Sequence, residues 1–159
     1  MQEVRRNLLL GGPALLAALA ADQATKALVL AEAARLAGGV AITPGFDLVL
    51  GRNAGVAFGM LGGVPWWGLV LVAAAICDWL LRVMIAAGTR TEAVAAGLIV
   101  GGALGNVIDR IRSGAVIDFL DVHVGTWHWP AFNLADAAVV CGAALLVLRP
   151  MLRRPRRTA

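Results

Sequence analysis

The chain has 159 residues, is 60% hydrophobic but only 6% aromatic, and combines a mean hydropathy of +0.79 with a formal net charge of +4. A water-soluble domain of this length cannot hide so much apolar surface in its own core, so lipid must solvate part of it. The bases gather at the two ends, at Arg5 and Arg6 and then at Arg149, Arg153, Arg154, Arg156 and Arg157, with no aromatics among the latter; this excludes a nucleic-acid stripe and favours anionic lipid headgroups as the partner.

The first apolar segment covers 8–30. It is long for a secretory leader, and Asp22 and Lys26 interrupt it where cleavage would fall, so we read it as a retained anchor. Asp22 and Lys26 stand at i and i+4, the spacing of a local ion pair. A long connection, 31–63, follows. Within it Val40 to Leu50 reads as two short strands around the turn Pro44-Gly45. Asn53-Ala54-Gly55-Val56-Ala57-Phe58-Gly59 comes next, a loop whose amide suits either a turn or a bound peptide backbone.

The second segment, 64–87, opens on the interfacial aromatics Trp66 and Trp67. Asp78 and Arg82 form another i, i+4 pair deep within it, which we read as structural, with Arg82 reaching the headgroups. A tight turn at 88–91 leads to the third segment, 92–111. There Gly101-Gly102-Ala103-Leu104-Gly105 makes a flat wall for helix packing. Asn106, Asp109 and Arg110 then share one face near the segment's end, where helix termination explains them as well as a site does.

The connection 112–132 holds a strand pattern at 115–122, with Asp118 inside it, and His123 and His128, whose spacing is weak evidence for a metal. The fourth segment, 133–148, is short. It starts on Asn133, a good N-cap, with Asp136 three residues later. Cys77 and Cys141 both lie in apolar runs, which opposes a disulfide framework.

Four spans put both termini on one side. That side carries nine of the fourteen Lys and Arg residues and three of the ten acids. The positive-inside rule therefore predicts cytoplasmic termini, with both long connections outside. The expected fold is an α-helical membrane protein of four transmembrane helices with a small extracytoplasmic β-sheet and a flexible outer loop. It forms a single domain, 1–159, ending in a basic cytoplasmic tail, 149–159. Carboxylates beside a bilayer are costly and point to function. Two that meet at one site can divide the roles of acid and base.

Five segments in this order resemble the lipoprotein signal peptidases (type II), bacterial membrane aspartyl proteases. They are Asp22-Gln23-Ala24-Thr25-Lys26, Asn53 to Gly59, Gly101 to Arg110, Gly114-Ala115-Val116-Ile117-Asp118-Phe119, and Trp129-Pro130-Ala131-Phe132-Asn133-Leu134-Ala135-Asp136. The resemblance implies an endopeptidase that removes the signal peptide from prolipoproteins just before a diacylglyceryl-modified cysteine. It implies Asp118 and Asp136 as the catalytic pair, and Asn53, Asn106, Arg110 and Asn133 as residues that hold substrate or orient the pair. Asp22 and Lys26 would support the site. No cofactor and no metal are expected. The partners would be lipid-modified precursors and membrane lipid, the protein a monomer, and its place the bacterial cytoplasmic (inner) membrane with the site facing outward. Two rivals from other classes are a proton-coupled transporter using Asp22, Asp78 and Asp136 as relays, and a non-catalytic scaffold assembled through its glycine faces.

Overall fold

A computed structural model describes residues 1–55 and 65–152, with backbone alone for 149–152. Residues 56–64, which hold the rest of the Asn53–Gly59 motif and part of the expected outer loop, lie outside the described residues, as does the basic tail from 153.

Among the described residues, five helices and four strands follow one another. They are α1 (Gln2–Ala31), α2 (Ala33–Leu36), β1 (Val40–Thr43), β2 (Phe46–Asn53), α3 (Trp66–Ile85), α4 (Arg90–Ser113), β3 (Val116–Val124), β4 (Trp127–His128) and α5 (Leu134–Leu152). Helices α1, α3 and α4 are each long and apolar enough to cross a bilayer; the apolar part of α5, Leu134–Leu148, is shorter. The expected spans 8–30 and 92–111 sit inside α1 and α4, with α1 beginning six residues earlier because Gln2 to Asn7 continue its turns. Helix α3 is two residues shorter at each end than the expected 64–87, and α5 starts one residue after the expected 133 and runs on to Leu152.

The burial pattern is the reverse of a soluble protein's. Leu16, Leu28, Leu71, Trp79 and Val140 are exposed, whereas Asn7, Asp22, Lys26, Asp109, Asp118 and Asn133 are buried. That inversion suits a chain whose outer solvent is hydrocarbon and whose polar groups must satisfy one another inside.

Helix α4 is the hub, packed most extensively on α1, then on α5 and α3. Its glycines make this feasible. A Cβ on Gly101 would run into the Leu15 carbonyl, and one on Gly105 into the Asp22 carboxylate. The flat wall is thus a packing surface, as its sequence suggests. The α3–α4 turn is tied down twice. Asn7 Nδ2 donates to the Ile85 and Ala87 carbonyls at 3.0 and 2.7 Å, and Thr89 caps α4 by accepting from Glu92 N.

The strands form an antiparallel sheet in the order β1-β2-β3-β4. Gly45, at φ 90, lets the chain reverse between β1 and β2, a backbone angle that a side chain would strain. Val29, Leu36, Ile117 and Phe119 seat the sheet on the ends of α1 and α2. The hairpin partner β4 went unread in the sequence: its two residues are too few to show alternation. Register pairs Gly51 with Asp118 and Asn53 with Val116, which brings Asn53 over the Asp118 side chain.

Candidate active site

Four elements deliver the polar residues that surround the pair, β2 supplying Asn53 at its end. Strand β3 leaves α4 through Gly114, a left-handed cap at φ 73, and carries Asp118, nine residues after Asp109. Helix α5 starts just after Asn133 with a reciprocal cap: Asp136 N donates to Asn133 Oδ1 at 3.0 Å, and Asn133 N donates to Asp136 Oδ2 at 3.2 Å. This arrangement satisfies donors that a helix start leaves unpaired. Helix α4 adds Asn106, Asp109 and Arg110 from its last turns.

Asn133 ties the aspartates together. Its Nδ2 donates to Asp118 Oδ1 at 2.7 Å while its main chain and Oδ1 hold Asp136. Asn53 Nδ2 donates to the other oxygen of Asp118 at 3.1 Å, and Asn106 Nδ2 donates to Asp136 Oδ1 at 2.9 Å. Both carboxylates line one cavity of about 1160 Å³, with Asn53, Asn106 and Arg110 beside them and Phe132, Val139 and Val140 supplying an apolar wall. Burial pushes the Asp118 carboxyl from its ordinary 3.8 up to about 6. The Asn53 hydrogen bond works against that rise, and the charge of Asp136 adds to it. Arg110 donates to the Gly55 carbonyl at 2.6 Å and to the Asn106 carbonyl at 3.3 Å. Its Nε is buried with no partner among the described residues.

Asp22 and Lys26 do pair, at 2.9 Å, but the pair is not merely local. Lys26 Nζ also meets Asp109 Oδ2 at 2.7 Å and donates to Asn106 Oδ1 at 3.0 Å. Asp109 is therefore no helix end reaching for water. It is buried, and sequence reasoning missed its part, because nothing in the spacing of α4 tells that α1 brings an ammonium to it. Gln23 was missed as well: its amide donates to Asp22, to Asp109 and to the Gly105 carbonyl.

Other candidates stand apart. Asp78 and Arg82 pair at 2.9 Å on the exposed face of α3, so Asp22, Asp78 and Asp136 do not line one path as a transporter would need. His123 and His128 stack at 4.8 Å between ring centres, and each faces its own carboxylate, Asp47 and Asp121. Neither lines the cavity. Among the described residues, no three His, Cys, Asp or Glu side chains are grouped to hold a metal ion.

The family model described as Signal peptidase (SPase) II matches residues 14–152. The chain belongs to this family. A lipoprotein signal peptidase of Paraburkholderia phymatum is 46% identical over 136 residues, covering 83% of this chain and 81% of the relative. One of Methylorubrum extorquens is 46% identical over 153 residues, covering 90% and 86%. A bacterial membrane enzyme solved by the in meso method at 2.3 Å resolution superposes with a TM-score of 0.76 at 25% identity, covering 96% of this chain and 94% of that one. A second, solved at 1.9 Å, gives 0.73 at 26% identity, covering 93% and 94%. As a signal peptidase II, the protein is a membrane-embedded protease with the function of a lipoprotein signal peptidase.

Proposed function

We propose that the protein is an aspartic endopeptidase that cuts diacylglyceryl-modified prolipoproteins just before the lipidated cysteine, at the outer surface of the bacterial cytoplasmic membrane. The observation that carries this reading is the shared cavity: Asp118 and Asp136 line it together, and Asn133 is bonded to both. In this reading α5 is the fourth crossing, 1–159 is one domain working as a monomer, and both termini are cytoplasmic. The distribution of bases supports that orientation.

The chemistry needs one carboxylate with a proton and one without. Asp118, lifted to about 6, is the partner better suited to keep a proton near neutral pH. Asp136, at the start of α5 and held by Asn106 and Asn133, is assigned the role of base. Asp136 takes a proton from water as the water oxygen attacks the scissile carbonyl carbon. Asp118 gives its proton to the carbonyl oxygen; as the tetrahedral intermediate collapses, Asp136 passes the proton from water to the leaving nitrogen, the C–N bond breaks, and Asp118 recovers its proton from the re-forming carboxyl group. Asn53, Asn106 and Asn133 orient the carboxylates. Arg110, whose buried Nε has no partner among the described residues, holds the substrate backbone. Asp22 and Lys26 support the site, and the apolar wall receives the acyl chains or the signal-peptide helix.

The test is turnover of a lipid-modified precursor in detergent by Asp118→Asn and Asp136→Asn. Each should lose at least about a thousandfold in kcat. Normal turnover by either removes the pair from the mechanism. Inactivation by a chelator, reversed by zinc, would favour a metal enzyme instead.

A further inference from the structure

We propose that Asp109 is a positioning residue for this reaction, and that Lys26 is the shared clasp through which Asp109 and Asp22 set the placement and charge of the two aspartates together. The inference rests on the reading of Asp118 and Asp136 as the catalytic pair.

Two arms leave the same ammonium. In one, Lys26 meets Asp109 Oδ2 at 2.7 Å, and the same oxygen accepts the backbone N–H of Ile117 at 3.2 Å. Ile117 directly precedes Asp118. In the other, Lys26 meets Asp22 Oδ2 at 2.9 Å, and Asp22 Oδ1 accepts the backbone N–H of Ala135 at 3.0 Å. Ala135 directly precedes Asp136. Each buried acid thus grips the peptide N–H one residue before one member of the pair. Gln23 bridges the arms by donating to both acids. A third link runs from Lys26 through Asn106 Oδ1, whose amide nitrogen in turn holds Asp136.

Nothing about helix stability asks for this. A solvated helix end would satisfy Asp109 with water, and a lone ion pair would satisfy Asp22. Burying three charges costs several kcal/mol for each, and that cost is offset only by good geometry and filled hydrogen bonds. Here the filled bonds end on the two peptide groups whose position sets the carboxylates. Positioning within about 0.5 Å is what such chemistry demands.

The arrangement also carries charge. Lys26, Asp22 and Asp109 sum to one negative charge beside the pair. The other charged side chains around them are Arg110 and Arg112 on α4 and Arg52 on β2, with Asp136 facing Asp118 from α5. The Lys26 charge already reaches Asp118 and holds its carboxyl lower than burial alone would. Removing either supporting acid leaves the surroundings of Asp118 less negative, so ionisation of its carboxyl becomes easier.

The decisive experiment is the pH–rate profile of the full-length Asp109→Asn enzyme in detergent on a lipid-modified precursor peptide. Asparagine keeps an acceptor for Ile117 N–H while it removes the charge and the acceptor that Gln23 uses. We expect kcat to fall about tenfold with KM within about threefold, and the limb of the profile set by Asp118 to move acidward by roughly half a pH unit. Asp22→Asn, which removes the same charge from the other arm, should move the profile the same way and carries the test if Asp109→Asn is not recovered folded. Asp78→Asn, remote from the site, should leave the profile in place. An unmoved profile in the variants recovered overturns the proposal, whether or not kcat falls. Asp118→Asn run alongside separates the two readings: retained turnover there refutes the pair, whereas lost turnover with an unmoved Asp109→Asn profile refutes only the clasp.

Discussion

Two ion pairs in this molecule have the same spacing and opposite fates. Asp22–Lys26 and Asp78–Arg82 are each an aspartate followed four residues later by a base, and each closes at 2.9 Å. The first has side chains 0% and 3% exposed, and it engages α4 and α5 as well as its own helix. The second is 64% and 75% exposed, and its hydrogen bonds stay within α3. The local geometry is equal, so the difference lies in what the helix face meets. Asp22 faces Gly105, where the missing side chain lets α4 come close enough to bring Asp109 to the lysine. Asp78 faces outward. A helix-surface pair becomes part of a site only when packing closes over it.

The sharpest way to break this comparison is Lys26→Met. It leaves two buried carboxylates unpaired, which should cost about 3–5 kcal/mol and lower the melting temperature by roughly 10 °C or more. A melting temperature within a degree or two of the parent's would place the pair in the same class as Asp78–Arg82. Next in size is Gly105→Ala. Its new methyl meets the Asp22 carboxylate, so about 1–3 kcal/mol should be lost, together with some activity; thermal denaturation reads the first and turnover the second.

A third measurement uses pH. The Asp118 carboxyl is raised in the folded state, to about 6 against an ordinary 3.8. Its contribution to stability is therefore fully present below pH ~4 and is lost as pH rises through ~6. Asp118→Asn does not titrate. Relative to the parent, its melting temperature should be higher at pH 7.5 than at pH 4.5 by a few degrees. No change in that difference would mean that Asp118 is more solvated than its burial indicates. The smallest effect belongs to the exposed pair: Asp78→Asn and Arg82→Gln should each keep turnover within about twofold of the parent.

Much of this was legible in the sequence because it follows from period and composition. The four apolar segments, the Pro44-Gly45 turn, the strand around Asp118 and the Asn133 start of α5 each carry a local signal. So does the flat glycine wall, although only packing tells which glycines face α1. The bonds from Asp22 to Ala135 N–H and from Asp109 to Ile117 N–H were not legible. They span 113 and 8 positions and depend on how three helices and a strand end at one place. The motifs that carried the family resemblance marked Asp22, Asn53, Asn106 and Arg110 as residues to watch. Physical reasoning on spacing alone left each of them with a structural explanation of similar weight.

In the proposed mechanism Asp136 is chemical where Asp78 is not, and the most direct measurement is the turnover of Asp136→Asn beside that of Asp78→Asn on the same diacylglyceryl-modified precursor. The prediction is a loss of at least about a thousandfold for the first and parental turnover for the second. Parental turnover in Asp136→Asn, with the protein folded, would contradict it.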